Sequence, residues 1–357
     1  MRVTSRAVIY LCTVLLGWIN TPAQAFFSSN DQDLWSLISD RFSLSHQADR
    51  SEVQHQIDLA MKNPEYIQHL SENAQPYLYY VFQETEKLNL PAEIALVPMI
   101  ESEYTLNDAS HAGAAGLWQL MPGTAHSSGI KIDHWYDGRR TPMSTKAALS
   151  FLSYLYEQFD HKWLLALAAY DAGPGTVTAA IRHNKRAGKP TDFWSLSLPK
   201  ETRAYVPRLL ALATIVEHSK SYGVHLAPVP NKPMISTVTV EKQMPIAKIA
   251  SLANASVKEI KKLNPALRQG MTPPHRAVSI VLPIKNKTIF EDNLNQQIAS
   301  KGALENISVE TYFIKAGDTL GEIAKRYHLT VEHLMSLNHL REHQLSQLKI
   351  GRKLLLN

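Results

Sequence analysis

The stretch Pro91-Ala-Glu-Ile-Ala-Leu-Val-Pro-Met-Ile-Glu-Ser-Glu-Tyr104 decides how the chain is read. Pro91 suits a first helical turn, where a missing N–H is no loss. The apolar positions Ile94 to Ile100 then lead into Glu101-Ser102-Glu103. A carboxylate behind such a run sits at the edge of a core, and partial desolvation raises its pKa and keeps it protonated, as a general acid requires. The plainer reading is a solvated glutamate at a helix end, so this segment needs support from elsewhere in the chain.

Support comes from three further stretches. Gly113-Ala-Ala-Gly116-Leu-Trp118-Gln119-Leu-Met-Pro122 combines small residues, which allow close approach of backbone or ligand, with an indole and an amide. Rings and amides together suit sugars, although Trp118 could equally be core and the glycines a tight turn. Ala168-Ala-Tyr170-Asp171-Ala-Gly173-Pro-Gly175 places a phenol and a carboxylate where an apolar helix ends, and Glu201-Thr-Arg203-Ala-Tyr205-Val-Pro207 opens another helix.

Around these motifs, residues 31–222 show apolar positions at three- and four-residue spacing, which predicts consecutive helices, most clearly over 145–159, 161–170 and 201–218. Leu226-Ala-Pro-Val-Pro-Asn-Lys-Pro233 reads as an extended linker and a domain boundary. Beyond it the chain repeats itself. A shift of 74 positions aligns Ile249-Ala250 with Ile323-Ala324, Val257 with Val331, and Leu263-Asn264 with Leu337-Asn338. In the second copy Tyr312-Phe313-Ile314 is a strand, Gly317-Asp318 a turn, Thr319 to Glu322 a capping box, about 330–337 a helix and Lys353 to Leu356 a closing strand. The unit is therefore strand, helix, helix, strand. The first copy has Gln243-Met244 in place of Gly317-Asp318, so its turn must differ.

Glu101-Ser102, Gly116-Leu-Trp-Gln119, Ala169-Tyr-Asp-Ala-Gly173 and Tyr205-Val-Pro207, in that order, resemble the soluble lytic transglycosylase family with its lysozyme-like fold, most nearly its membrane-bound lytic murein transglycosylase D type. The repeated unit resembles the LysM module through Gly317-Asp318-Thr319-Leu320, Ile323-Ala324, Asn338 and Gly351. The resemblance implies that Glu101 cleaves the β-1,4 bond between N-acetylmuramic acid and N-acetylglucosamine, first as acid and then as base. The muramic C6 hydroxyl attacks in place of water and leaves a 1,6-anhydro end. It also implies that Ser102 and Gln119 orient the N-acetyl region and Glu101, while Tyr170 and Tyr205 line the cleft. Two positions depart from the pattern: Asp171 stands where the family usually has Asn, and Glu103 where a small residue is commoner. Either could supply the second carboxylate of a hydrolytic lysozyme. A peptidoglycan-binding scaffold without activity is the third reading, against which the intact Glu101-Ser102 pair counts.

Composition sets the remaining bounds. The chain has 357 residues, 45% hydrophobic and 19% charged, which suits folded domains and excludes a disordered or collagen-like chain. Arg2 and Arg6 before an apolar stretch ending in Ala23-Gln24-Ala25 read as a cleavable export signal, so the periplasm or cell envelope is the expected location, with outer-membrane association open. The only cysteine, Cys12, lies within that signal, and the large Leu11 before it argues against a lipid anchor. Residues 26–225 carry a net charge of −5 and residues 226–357 one of +8. With export, an extracytoplasmic polymer is a better partner for that charge than nucleic acid. The fifteen histidines form no metal signature, Lys258, Lys261 and Lys262 make one basic face, and no cofactor or oligomer is indicated.

The expected architecture is an all-α lysozyme-like catalytic domain followed by two small α+β (βααβ, LysM-like) modules. Its parts are a signal (1–25), an N-terminal helical segment (26–80), the catalytic domain (81–225), a linker (226–236), a degenerate LysM-like module (237–283), a linker with helix (284–310) and a LysM module (311–356). Peptidoglycan glycan strands are the expected partner of a monomeric enzyme.

Overall fold

The computed structural model describes residues 33–301, 311–327, 329–340 and 349–356. The expected signal segment, with Cys12, and residues 302–310 lie outside the described residues. So does His343.

Among the described residues ten α-helices build the first unit: α1 (Leu34–Ser39), α2 (Ser51–Met61), α3 (Pro64–Ala74), α4 (Leu78–Lys87), α5 (Val97–Ser102), α6 (Pro122–Ser127), α7 (Ser144–Gln158), α8 (Trp163–Ala172), α9 (Pro174–Arg186) and α10 (Lys200–Glu217). Proline opens α3, α5, α6 and α9 within the first two positions, where it removes only an N–H that had no helical partner. The apolar spacing of α7, α8 and α10 turns one face of each inward, and Leu149, Leu152, Leu167 and Leu209 share one core.

That core also takes in Leu34, Ile38, Ile57 and Leu70. Residues 33–80 are therefore packed into the helical domain and are not a separate segment. The proline-rich stretch after α10 is extended, as its composition predicts, but it is fastened down. Trp35 Nε1 donates to Ala227 O at 2.8 Å, the Ala227 N–H to Ser71 Oγ at 2.7 Å, and Leu34 N–H to Val229 O at 2.8 Å, while Val229 is fully buried. Proline cannot donate to a ladder, so this stretch is held through the carbonyls and the few N–H groups it has.

Next comes β1 (Ile235–Val240), α11 (Ile246–Leu252), α12 (Val257–Leu263) and β2 (Val278–Pro283), with β1 and β2 antiparallel and Val238 opposite Ile280. A further helix, α13 (Lys287–Lys301), buries Phe290 against this module, and Asn286 and Asn293 donate to the Ala253 and Leu252 carbonyls at 2.9 and 2.8 Å. Its N-terminal part belongs to the module rather than to a linker. The second copy is β3 (Thr311–Phe313), α14 (Leu320–Arg326), α15 (Val331–Leu337) and β4 (Lys353–Leu355), again with antiparallel strands. Its capping box is formed, Thr319 and Glu322 each satisfying the other's backbone N–H.

The 74-residue repeat has a physical counterpart. Asn264 Nδ2 donates to Ile260 O at 2.8 Å and Val281 O at 2.7 Å, and its Oδ1 accepts the Val281 N–H at 2.7 Å. Asn338 does the same with Leu334 O at 2.8 Å, Leu355 O at 2.8 Å and the Leu355 N–H at 2.7 Å. One side chain in each copy thus clasps the second helix to the closing strand.

The first module is docked on the helical domain. Asp137 N–H donates to Ala266 O and Arg268 N–H to Trp135 O, both at 3.0 Å, Arg276 pairs with Asp133 at 2.6 Å, and Tyr136 joins the module's core. Among the described residues no helix is long and apolar enough to cross a membrane.

Candidate active site

Helix α5 carries Glu101 one residue before its end. The helix stops because Glu103 and Tyr104 both adopt left-handed backbone, φ +52° and +58°, a conformation that costs a non-glycine residue energy and must be held by its surroundings. Tyr104 holds it: fully buried, its hydroxyl donates to Ala95 O at 2.7 Å and its N–H reaches back to Pro98 O at 3.0 Å. The reversal turns Glu103 outward, where it accepts a 2.7 Å hydrogen bond from Tyr66, and burial together with Glu103 pushes that phenol up to about 12. Glu103 is therefore not a second carboxylate facing Glu101.

Glu101 keeps part of its surface open while its carboxyl group is enclosed by protein. Burial pushes its pKa from 4.5 up to about 8, against the opposing effect of Tyr205, whose hydroxyl donates to Glu101 Oε1 at 2.6 Å. The negative charges of Asp171 and Glu201 raise it further and the Arg208 cation lowers it. Desolvation dominates because the charged form loses more hydration than one hydrogen bond returns. Tyr205, on α10, is itself buried and held well above its ordinary value. Glu101 is thus a neutral acid at pH 7 with its carboxyl oriented by a phenol 104 residues away.

The glycine-rich loop lies against this helix end. Gly116 has φ +81°, and a Cβ there would stand 1.9 Å from Arg139 O, so no other residue fits. Three side chains fasten the loop: Ser102 Oγ donates to Leu117 O at 2.8 Å, Tyr170 Oη to Trp118 O at 2.7 Å, and Trp118 Nε1 to Thr145 Oγ1 at 2.9 Å. Ser102 and Trp118 are both buried. The sugar-stacking reading of Trp118 gives way to the core reading, and Ser102 spends its hydroxyl on the loop backbone instead of facing an N-acetyl group. Gln119 is half-buried with φ +44° and donates to Gly116 O at 3.0 Å. Tyr170 lies close enough to feel Glu101 and packs on Phe151 at 5.8 Å between ring centres. Asp171 is half-buried, its pKa raised chiefly by burial and lowered by a hydrogen bond with Thr202.

Sequence reading missed two supports. Asp137 and Arg139 form a buried pair at 2.8 Å, and Arg139 Nη1 donates to Gly113 O at 2.6 Å and Leu120 O at 3.0 Å, clamping both ends of the loop. The spacing Asp-Gly-Arg is too short and common to have announced this. Arg208 stands one turn of α10 beyond Tyr205 and was not singled out. No group of His, Asp and Glu able to hold a metal ion occurs among the described residues.

Comparison with known proteins places the chain among lytic transglycosylase sequences. Residues 79–193 match the Transglycosylase SLT domain, residues 234–299 the family described as Lytic transglycosylase MltD, LysM-like domain, and residues 312–357 the LysM domain. Membrane-bound lytic murein transglycosylase D of Escherichia coli is 35% identical over 335 residues, which cover 91% of this chain and 72% of that one. Soluble lytic murein transglycosylase of Salmonella typhimurium is 34% identical over 125 residues, 33% of this chain and 19% of that one. The crystal structure of the lytic transglycosylase Slt from Pseudomonas aeruginosa aligns with 54% of this chain and 33% of its own at 24% identity, with a TM-score of 0.36. A mostly helical lysozyme-like domain, a buried acid at the end of α5 and two LysM-like modules in this order have one common reading: the chain belongs to the membrane-bound lytic murein transglycosylase D family.

Proposed function

We propose that this chain is a peptidoglycan lytic transglycosylase in which Glu101 serves as both acid and base. The observation that carries the reading is the enclosed carboxyl group of Glu101, protonated up to about pH 8 and oriented by Tyr205 at 2.6 Å. Glu101 gives its proton to the glycosidic oxygen that leaves with N-acetylglucosamine, and the C1–O bond of N-acetylmuramic acid breaks. The resulting carboxylate, stabilised by the Tyr205 hydroxyl, takes the proton of the C6 hydroxyl as O6 bonds to C1. Glu101 ends as it began and no water is consumed. General acid–base catalysis of this kind is worth roughly 10²–10⁴-fold. Gln119 and Tyr170 border the cleft, Ser102 sets the loop that carries Gln119, and the second module, which keeps the Gly317-Asp318 turn and the capping box, holds the glycan. The N-terminal residues fit export to the periplasm or envelope, where the polymer is found.

Asp171 keeps a second reading alive, because it acts electrostatically on Glu101. A lysozyme needs a second carboxylate to activate water or trap the glycosyl cation. Mass spectrometry of a murein digest separates the two. Anhydro ends, two hydrogens and one oxygen lighter than hydrolysed ends, are expected from the native chain and from Asp171→Asn alike. Reducing muramic ends that vanish in Asp171→Asn would make the protein a lysozyme.

A further inference from the structure

Lys258, Lys261 and Lys262 fall on one face of α12 by their three- and four-residue spacing. That face borders a cleft of about 790 Å³ between the first module and the helical domain, with His339 of the second module at its edge. Its lining also includes Arg140 and Arg268 and contains no aspartate or glutamate. Two of these cations are occupied: Arg140 Nη1 donates to Asn107 O at 2.6 Å and Oδ1 at 2.8 Å, and Arg268 Nη1 to Asp133 O at 3.0 Å. Among the described residues the three lysines have no carboxylate within 4 Å. Like charges gathered in this way repel one another, and a cleft lined by one sign of charge concentrates ligands of the other.

Two features make this a site rather than a solvated face. Both walls are fixed, since the hydrogen bonds of residues 133–137 to 266–269 and the Arg276–Asp133 pair lock the module in place. Residues 104–107, on the opposite wall, follow directly on α5. Thr105 is four residues from Glu101, so their Cα atoms lie within about 14 Å. The volume is that of a site for a small molecule or short peptide, and a cleft is not the long stripe that a duplex would need.

We propose that this cleft binds the free carboxylates of the peptide stems carried by the glycan strand. The inference rests on the murein reading above. On it, the docked module has exchanged a sugar-holding role for recognition of the peptide next to the scissile bond.

The test is binding by the full-length Glu101→Gln chain, whose turnover is strongly reduced, compared with the same chain carrying Lys258→Ala, Lys261→Ala and Lys262→Ala. The probes are soluble peptide-bearing strands, the same strands with their carboxylates amidated, and strands stripped by an amidase so that only lactyl carboxylates remain. The expected result is at least a tenfold loss on the first probe relative to the other two, diminishing as salt is raised. Equal loss on all three, equal loss on the first and third, or no loss overturns the proposal. So does a loss confined to duplex DNA, offered as a fourth probe. The three side chains are exposed, so thermal unfolding should match the parent, and charge-reversing Lys→Glu variants should deepen the loss. Product mass from the native enzyme tests the murein reading separately, so failure of one is distinguishable from failure of the other.

Discussion

The two repeat modules share a clasp and differ in almost everything around it. Asn264 and Asn338 make the same three hydrogen bonds, yet the first module is capped by α13 and locked to residues 133–137, while the second keeps its opening turn by its own means. There Asp318 accepts from Tyr312 Oη at 2.6 Å and the Lys315 N–H at 2.7 Å. Where the first copy lacks Gly-Asp, fully buried Thr272 takes over, accepting the Met244 N–H at 2.7 Å and donating to Lys242 O at 2.8 Å. A repeat can thus lose its turn signature and keep its fold, provided another side chain satisfies the same backbone. What it then exposes for binding is decided by its neighbours.

If chemistry belongs to neither module, Glu101→Gln should separate cutting from holding. Turnover should fall at least roughly 10²–10⁴-fold while pull-down on murein persists. The native enzyme should lose activity as pH rises through about 8, where Glu101 gives up its proton. Because the Tyr205 hydrogen bond lowers that pKa, Tyr205→Phe should move the alkaline limb upward. Stability carries the same sign: a carboxyl raised in the folded state disfavours folding increasingly from its unfolded value near 4.5 up to about 8, so Glu101→Gln should gain on the parent over that range. Near-normal turnover in the variant would remove Glu101 from the mechanism.

The clasps offer the next largest contrast. Asn338→Ala leaves the Leu355 N–H and carbonyl without their side-chain partner, a loss of about 2–4 kcal/mol, which a module this small cannot spare. Its unfolding should appear as a separate, lowered transition in calorimetry. Asn264→Ala breaks the same bonds in a module braced by α13 and the helical domain, so the transition should stay joined to that of the domain. Equal behaviour would show that docking adds nothing.

Ending the chain after Lys301 sharpens the comparison in binding. The second copy retains Gly317-Asp318 and the capping box, so its removal should cost most of the affinity for N-acetylglucosamine-containing glycan, at least tenfold in a murein pull-down. Undiminished binding would assign the glycan to the first module. The smallest effect is expected from Arg276→Ala, which removes a partly exposed ion pair with Asp133 and a contact over the Tyr136 ring at 5.0 Å. The loss of about 1 kcal/mol should show as faster amide exchange at the 266–269 strip, with activity on murein little changed.

Much of this was legible from residues alone. The helices followed from apolar spacing, the two modules from a gapless 74-residue shift, and the candidate acid from a carboxylate behind an apolar run. These signals are local, because periodicity and turn chemistry act within a few residues. The same locality explains the misreadings. Nothing near Trp118 says that Thr145 waits for its indole N–H, nothing near Ser102 says that Leu117 O will take its hydroxyl, and the composition of 226–233 does not reveal Trp35 and Ser71 as its anchors.

The sequence by itself determined which elements form, in what order, and that one glutamate stands at the end of an apolar helix. Only the tertiary structure decided that this glutamate is neutral at pH 7, that Glu103 turns away to Tyr66 while Asp171 stays within its field, and that the first module's exposed lysines border a cleft. Desolvation and charge pairing depend on what lies across space. Tyr205 meets Glu101 over 104 residues of chain and Arg276 meets Asp133 over 143, so such terms come into being only when distant segments pack.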